Sequence, residues 1–204
     1  MRIGVDFDNT IICYDTVFHR VARERGLIGP EVPANKTAVR DALRRLGREE
    51  LWTELQGEVY GELMRDAEPF TGALEFFRRC RAQRVSVRII SHKTREPFLG
   101  RCHDLHASAQ AWLTHQGFYD AAEIGLTSED VSFELTKAAK LARIGAAGCD
   151  WFIDDLPEFL AEVAFPAGVE RILFDPAGAH PPGPWRRCRA WSEIADALLT
   201  TVAA

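Results

Sequence analysis

Apolar and polar positions alternate over the first residues of the chain. In the stretch RIGVDFDNTII, Ile3, Val5 and Phe7 stand between smaller or polar neighbours, which predicts a short, largely buried strand over Arg2–Ile12. The period then changes. From Tyr14 to Glu68, Val17 and Val21, then Val39, Leu43 and Leu46, then Leu51, Leu55, Val59 and Leu63 fall at steps of three and four. This region reads as helical, divided by Pro30 and Pro33. Ala73–Arg84 reads as a helix with Leu74, Phe77 and Cys80 on one side. The β-branched run Val85–Ile90 follows as a second strand. Beyond it the pattern predicts an amphipathic helix or helix pair over Leu99–Gly117, a short third strand at Glu123–Thr127 and a helix over Thr136–Ile144. Apolar strands at Trp151–Ile153 and Arg171–Phe174 come next. A Gly/Pro-rich loop, Ala177–Pro184, leads to a last helix capped by Ser192 and running through Leu199.

Composition narrows the class. A chain of 204 residues, 47% apolar and 27% charged, can hold one sizeable core plus an inserted subdomain. No segment has the length and apolarity of a membrane span, and the N-terminus reads as a charged strand rather than a signal peptide. The five cysteines are scattered without a Cys-x-x-Cys pair, which fits reduced thiols in a cytoplasmic protein. A net charge of −5 and the lack of a basic tract argue against nucleic acid as the main partner. Arg carries nearly all the positive charge, and Lys occurs only at 36, 93, 137 and 140.

The chemistry gathers where predicted strands end. The first strand closes on Asp6 and Asp8, with Asn9 and Thr10 directly after. An extended chain puts Asp6 and Asp8 on one face. Two such carboxylates repel unless a cation lies between them or they share a proton. Trp151–Ile153 stops at a second acidic end, Asp154–Asp155. The second strand ends in Ser91-His92-Lys93-Thr94. In an α/β sheet these carboxyl ends are where ligands bind. His103 and His106 could share a helix face, but zinc would want a third protein ligand nearby, so they read as surface residues.

DFDNT resembles the first motif of the haloacid-dehalogenase-like (HAD) hydrolases, Asp-x-Asp-x-Thr/Val at the end of the first strand. Ser91, a Lys at 137 or 140, and Asp154-Asp155 are similar to that family's second, third and fourth motifs, in the same order. The resemblance implies an α/β fold: a Rossmann-like three-layer parallel sheet, strand order 5-4-1-2-3. A catalytic core would take residues 1–13 and 69–204, and a small helical cap, 14–68, would be inserted after strand 1. It also implies roles. Asp6 would be the nucleophile and Asp8 the general acid/base, while Ser91 would hold the transferring phosphoryl oxygens. Asp6, Asp8, Asp154 and Asp155 would hold Mg²⁺. Asn9, Thr10, His92, Lys93 and Lys140 are the candidate substrate contacts. Lys137 is the preferred motif lysine, because side chains lean toward a helix N-terminus and Lys137 lies nearest that end. Dehalogenases of the family lack the second Asp, so Asp8 points to phosphate-monoester hydrolysis of a small phosphorylated metabolite. A phosphomutase, a phosphotransferase or a catalytically idle phospholigand-binding protein are the alternatives. The sequence leaves open a homo-oligomer.

Overall fold

The computed structural model describes residues 1–199; the last residues of the expected core segment 69–204 lie outside that range. In chain order the elements are β1 (Arg2–Val5), β2 (Ile12–Cys13), α1 (Asp15–Glu24), α2 (Lys36–Arg45), α3 (Glu49–Val59), β3 (Glu68–Pro69), α4 (Ala73–Ala82) and β4 (Ser86–His92). Then come α5 (Leu105–His115), β5 (Val131–Glu134), α6 (Lys137–Ala146), β6 (Trp151–Asp154), α7 (Pro157–Leu160), β7 (Glu170–Phe174), β8 (Arg186–Cys188) and α8 (Trp191–Leu198). The chain folds as two compact units. One takes Met1–Ile12, Pro69–His92 and 117–199; the other takes Cys13–Glu68 and Lys93–Gln116.

The first unit is built on a six-stranded sheet in the order β5-β4-β1-β6-β7-β8, and every neighbouring pair is parallel. Parallel strands need crossovers, so helices cover both faces and the strands are apolar almost throughout. On one face Ile90, Phe152 and Leu173 pack under Leu141 and Ile144 of α6, Phe159 and Leu160 of α7, and Phe165 just beyond it. On the other, Phe76 and Phe77 of α4 meet Trp191 of α8, and Trp191 also stacks near Phe174. β1 runs through the middle. It carries Gly4 because the ring of Phe152 leaves no space there for a side chain.

Three expectations need correction. Glu123–Thr127 is not a strand: Gly125 has a φ of +70, which interrupts an extended run. The third strand is instead β5, preceded by a turn in which Thr127 and Asp130 satisfy each other. β8, in the short basic segment after the Gly/Pro-rich loop, adds a sixth strand. The last helix begins at Trp191 after Ala190, so Ser192 lies inside it and does not cap it.

The second unit is helical, formed by α1, α2, α3, α5 and a tight turn at Glu62–Asp66. Its core is aromatic: Tyr14, Phe18, Trp52 and Tyr60 pack ring on ring. The expected boundaries, 14–68, leave out Lys93–Gln116. That segment joins this unit because Trp112 of α5 is buried and its Nε1 donates to the Ala67 carbonyl at 2.7 Å. α5 also starts later than expected, at Leu105, where the Asp104 carboxylate accepts the N–H of Ala107.

The packing around Gly4 gives a first test. A Cβ there would stand 2.5 Å from a ring carbon of Phe152 and 2.9 Å from the Cys149 sulfur. Gly4→Ala should therefore destabilise the protein by about 1–3 kcal/mol, read from urea unfolding. An unchanged midpoint would mean the sheet centre is looser than this packing requires.

Candidate active site

The site is assembled at the carboxyl ends of β1, β4 and β6, the edge at which an open parallel sheet presents its ligands. β1 ends at Val5, and the N–H of Asp6 donates to the carbonyl of Ile153 at 2.8 Å. That bond seats Asp6 beside the end of β6, where Asp154 is the last residue. Ser91 lies in the final turn of pleat of β4. All three side chains are buried.

A fourth group ties them together. Lys140, in the first turns of α6, is 2% exposed. Its Nζ donates to Asp6 Oδ1 at 2.7 Å and to Asp154 Oδ2 at 2.6 Å. Ser91 Oγ donates to the same Asp6 Oδ1 at 2.8 Å. Both hydrogen bonds accepted by the Asp6 side chain therefore fall on Oδ1. Asp154 spends its other oxygen on the N–H of Leu156, 2.9 Å away.

Burial and charge act in opposite directions here. Burial alone would lower the pKa of Lys140, but the carboxylates of Asp154 and Asp6 outweigh it and raise it, so the ammonium is held firmly. Burial pushes Asp154 up to about 7, helped by the like charge of Asp6 and opposed by Lys140.

Asp6, Asp154 and Asp155 bring carboxylate oxygens within 4.8 Å of one another. This is the single such group of potential metal ligands among the described residues. An all-oxygen, carboxylate-rich set suits a hard divalent cation such as Mg²⁺, and would not select a soft metal. Thr10 is buried behind it, with Oγ1 3.4 Å from Asp155 Oδ1 and its carbonyl accepting from Trp191 Nε1 at 3.1 Å.

The residues anticipated from sequence divide accordingly. Asp6, Ser91, Lys140, Asp154, Asp155 and Thr10 come together. Lys137 does not. It is the first residue of α6 and is exposed, while Lys140, one turn further in, is level with the strand ends. The preference for Lys137 is therefore corrected. Asp8 is also absent from the acidic group. The strand period stops at Val5, and Asn9 takes a left-handed φ of 60 that Asn tolerates. Phe7 O receives the N–H groups of Ile11 and Ile12, so residues 7–12 form a tight turn in place of a continued strand. His92 is exposed at the end of β4. Lys93 belongs to the second unit, where its Nζ lies 5.1 Å from the centre of the Tyr60 ring. His106 bonds the Lys93 carbonyl at 2.8 Å, and neither it nor His103 enters a potential metal group.

No family model matches the chain, and no curated protein matches it. Solved structures do. A HAD-family hydrolase from Deinococcus radiodurans R1, with bound phosphate and sodium, aligns at a TM-score of 0.55 and 17% identity, covering 97% of this chain and 94% of its own. The HAD-hydrolase YfnB from Bacillus subtilis, bound to magnesium, aligns at 0.52 and 14%, over 98% of each chain. The L-2-haloacid dehalogenase RSc1362 aligns at 0.55 and 15%, over 98% of each. The fold is thus the one these structures share, two of them hydrolases of the HAD superfamily and one a dehalogenase. No helix among the described residues is long and apolar enough to cross a membrane.

Two measurements test the electrostatics. Lys140→Met strands two buried carboxylates, so in EDTA it should cost about 3–5 kcal/mol of unfolding free energy. The exposed Lys137→Ala should stay within about 0.5 kcal/mol of wild type. The second concerns pH. The folded pKa of Asp154, about 7, lies above its ordinary value of 3.8, so its contribution to stability is largest below about pH 4. It declines as pH rises through that window, because the unfolded chain releases the proton first. A divalent cation competes with that proton, so Mg²⁺ should raise Tm more at pH 8 than at pH 5. Equal shifts at both would remove Asp154 from the cation site.

Proposed function

We propose that the protein is a Mg²⁺-dependent phosphatase that hydrolyses a small phosphate monoester through an aspartyl-phosphate on Asp6. The observation that carries this reading is the convergence of Ser91 Oγ and Lys140 Nζ on one oxygen of a buried aspartate. With Oδ1 held by both donors, Oδ2 is the oxygen that attacks phosphorus. The phosphorus–oxygen bond to the leaving alcohol breaks as the new bond to Asp6 forms, and Asp8 gives the alcohol its proton. Asp8 then takes a proton from water, whose oxygen attacks phosphorus and releases phosphate from Asp6. Lys140 and Ser91 act throughout on the charge that builds around the phosphoryl group. Asp6, Asp154 and Asp155 would hold Mg²⁺, which when bound offsets the negative charge that would repel a carboxylate nucleophile.

Haloacid dehalogenation is the competing chemistry on this fold. Halide leaves without needing a proton, so Asp8 would have no task. A neutral carbon centre likewise does not call for three carboxylates brought within reach of one cation. The cap reading of the helical unit, and a small metabolite as substrate, rest on the resemblance in motif order.

Release of phosphate from a generic aryl phosphate should require Mg²⁺, disappear in EDTA and return with Mg²⁺ or Mn²⁺. Asp6→Asn should lower kcat by about a thousandfold or more. Asp8→Asn should cut turnover by about a hundredfold or more while still allowing Asp6 to be phosphorylated. Activity in Asp6→Asn within tenfold of wild type would sink the mechanism, and turnover of a 2-haloacid in place of the phosphate ester would install the rival.

A further inference from the structure

The ammonium of Lys140 has three protons to place, and the two carboxylates take two of them. Among the described residues no third oxygen approaches it. An aromatic ring packs against it: Lys140 Nζ is 4.0 Å from the centre of Phe159, with Phe152 next at 5.4 Å. Phe159 is itself immobilised, its centroid 6.1 Å from Phe152 and 5.9 Å from Phe165.

We propose that Phe159 is a positioning residue, whose ring face fixes the Lys140 ammonium against Asp6 and Asp154. The local chain explains how it comes to be there. Asp154 Oδ1 accepts the Leu156 N–H, Pro157 opens the one-turn helix α7, and Leu156 O receives the N–H of Phe159. One turn of chain thus delivers Asp154 and Phe159 to the same ammonium. The face of an aromatic ring attracts a cation most strongly where water is excluded, and Phe159 is buried. It does so with no lone pair and no net charge. A third carboxylate in its place would hold the lysine equally well, but would cancel the positive charge intended for the phosphoryl oxygens and add another ligand to the cation group. The ring gives direction while leaving the charge balance of the site unaltered.

The catalytic half of this inference rests on the phosphatase reading; the structural half does not. The test replaces Phe159 by mono-, di- and trifluorinated phenylalanine, which weakens the ring's attraction for cations stepwise at nearly constant shape. Phe165, in the same cluster but not among the rings over which the Lys140 ammonium lies, receives the same series as the control. Two readouts are taken. The first is kcat and KM on an aryl phosphate with Mg²⁺; the second is solvent exchange of the Lys140 ammonium protons, by nitrogen-15 NMR of lysine-labelled protein. With four lysines in the chain, Lys140→Met identifies the signal. Along the Phe159 series kcat should fall stepwise, by about tenfold at three fluorines, with KM unchanged. Proton exchange should quicken several-fold over the same series, and the Phe165 series should move neither. A flat exchange rate, a flat kcat, or an equal response at Phe165 overturns the proposal. If the wild type hydrolyses no phosphate ester, the phosphatase reading falls, and the exchange series alone decides the role of Phe159.

Discussion

The interaction on which this molecule turns is the bonding of one buried ammonium to two buried carboxylates. Each of Asp6, Asp154 and Lys140 would be costly to desolvate alone; together they are tolerated because two short charge-assisted hydrogen bonds replace the water. The balance is incomplete, since two aspartates face one lysine and Asp155 adds a third acid nearby. A cluster with more acid than base is a costly device for merely holding a fold together. The same excess of acid suits the proposed binding of a divalent cation. The parallel sheet serves it directly: Asp6 and Asp154 end adjacent strands, and the crossover helix α6 returns alongside with Lys140 one turn in.

Much of this was legible from residue pattern. Acidic residues closing two apolar strands, Asp6 and Asp154-Asp155, announced a charged site, because buried strands do not end in carboxylates without a reason. Ser91 was legible only through its place in the order. The choice between the lysines was not legible at all. Helical periodicity gives the angle of a side chain about its axis, and by angle Lys137 lies on the stripe of Leu141 and Ile144. What separates the two lysines is burial, since Lys137 at the helix start is exposed while Lys140 is enclosed, a tertiary outcome no periodicity encodes. The second unit was mis-bounded for a similar reason. Tertiary contacts such as the buried Trp112 indole on the Ala67 carbonyl reveal that 93–116 joins residues 13–68. β8 was missed because three residues, two of them exposed arginines, carry no strand signal.

Phe159 shows a different blind spot. In the sequence it is one more aromatic in an apolar stretch, and burial accounts for it fully. Its second task is visible only once the nitrogen of Lys140 is seen 4.0 Å from its ring. Core packing and site chemistry are commonly treated as separate, yet here two phenylalanines of the cluster that fills one face of the sheet, Phe152 and Phe159, also lie against the ammonium of Lys140. A substitution chosen to repack that face would change the electrostatics with it.

The motif DFDNT assigns its two aspartates to different surroundings over a span of three residues, and the backbone does the separating. Asp6 follows the last strand residue and is drawn to Ile153 by its own N–H, so its side chain joins the buried cluster. Asp8 falls in the turn closed by Phe7 O and the left-handed Asn9, and remains half-buried. Had the strand continued, both carboxylates would share one face and compete for the same cation. A nucleophile must stay a bare carboxylate, held by donors, while an acid/base must exchange a proton on each half of the cycle. Those demands are incompatible within one cluster of fixed charge. On the phosphatase reading proposed above, a strand that breaks between the two residues would meet both demands, and the left-handed Asn9 helps shape that break.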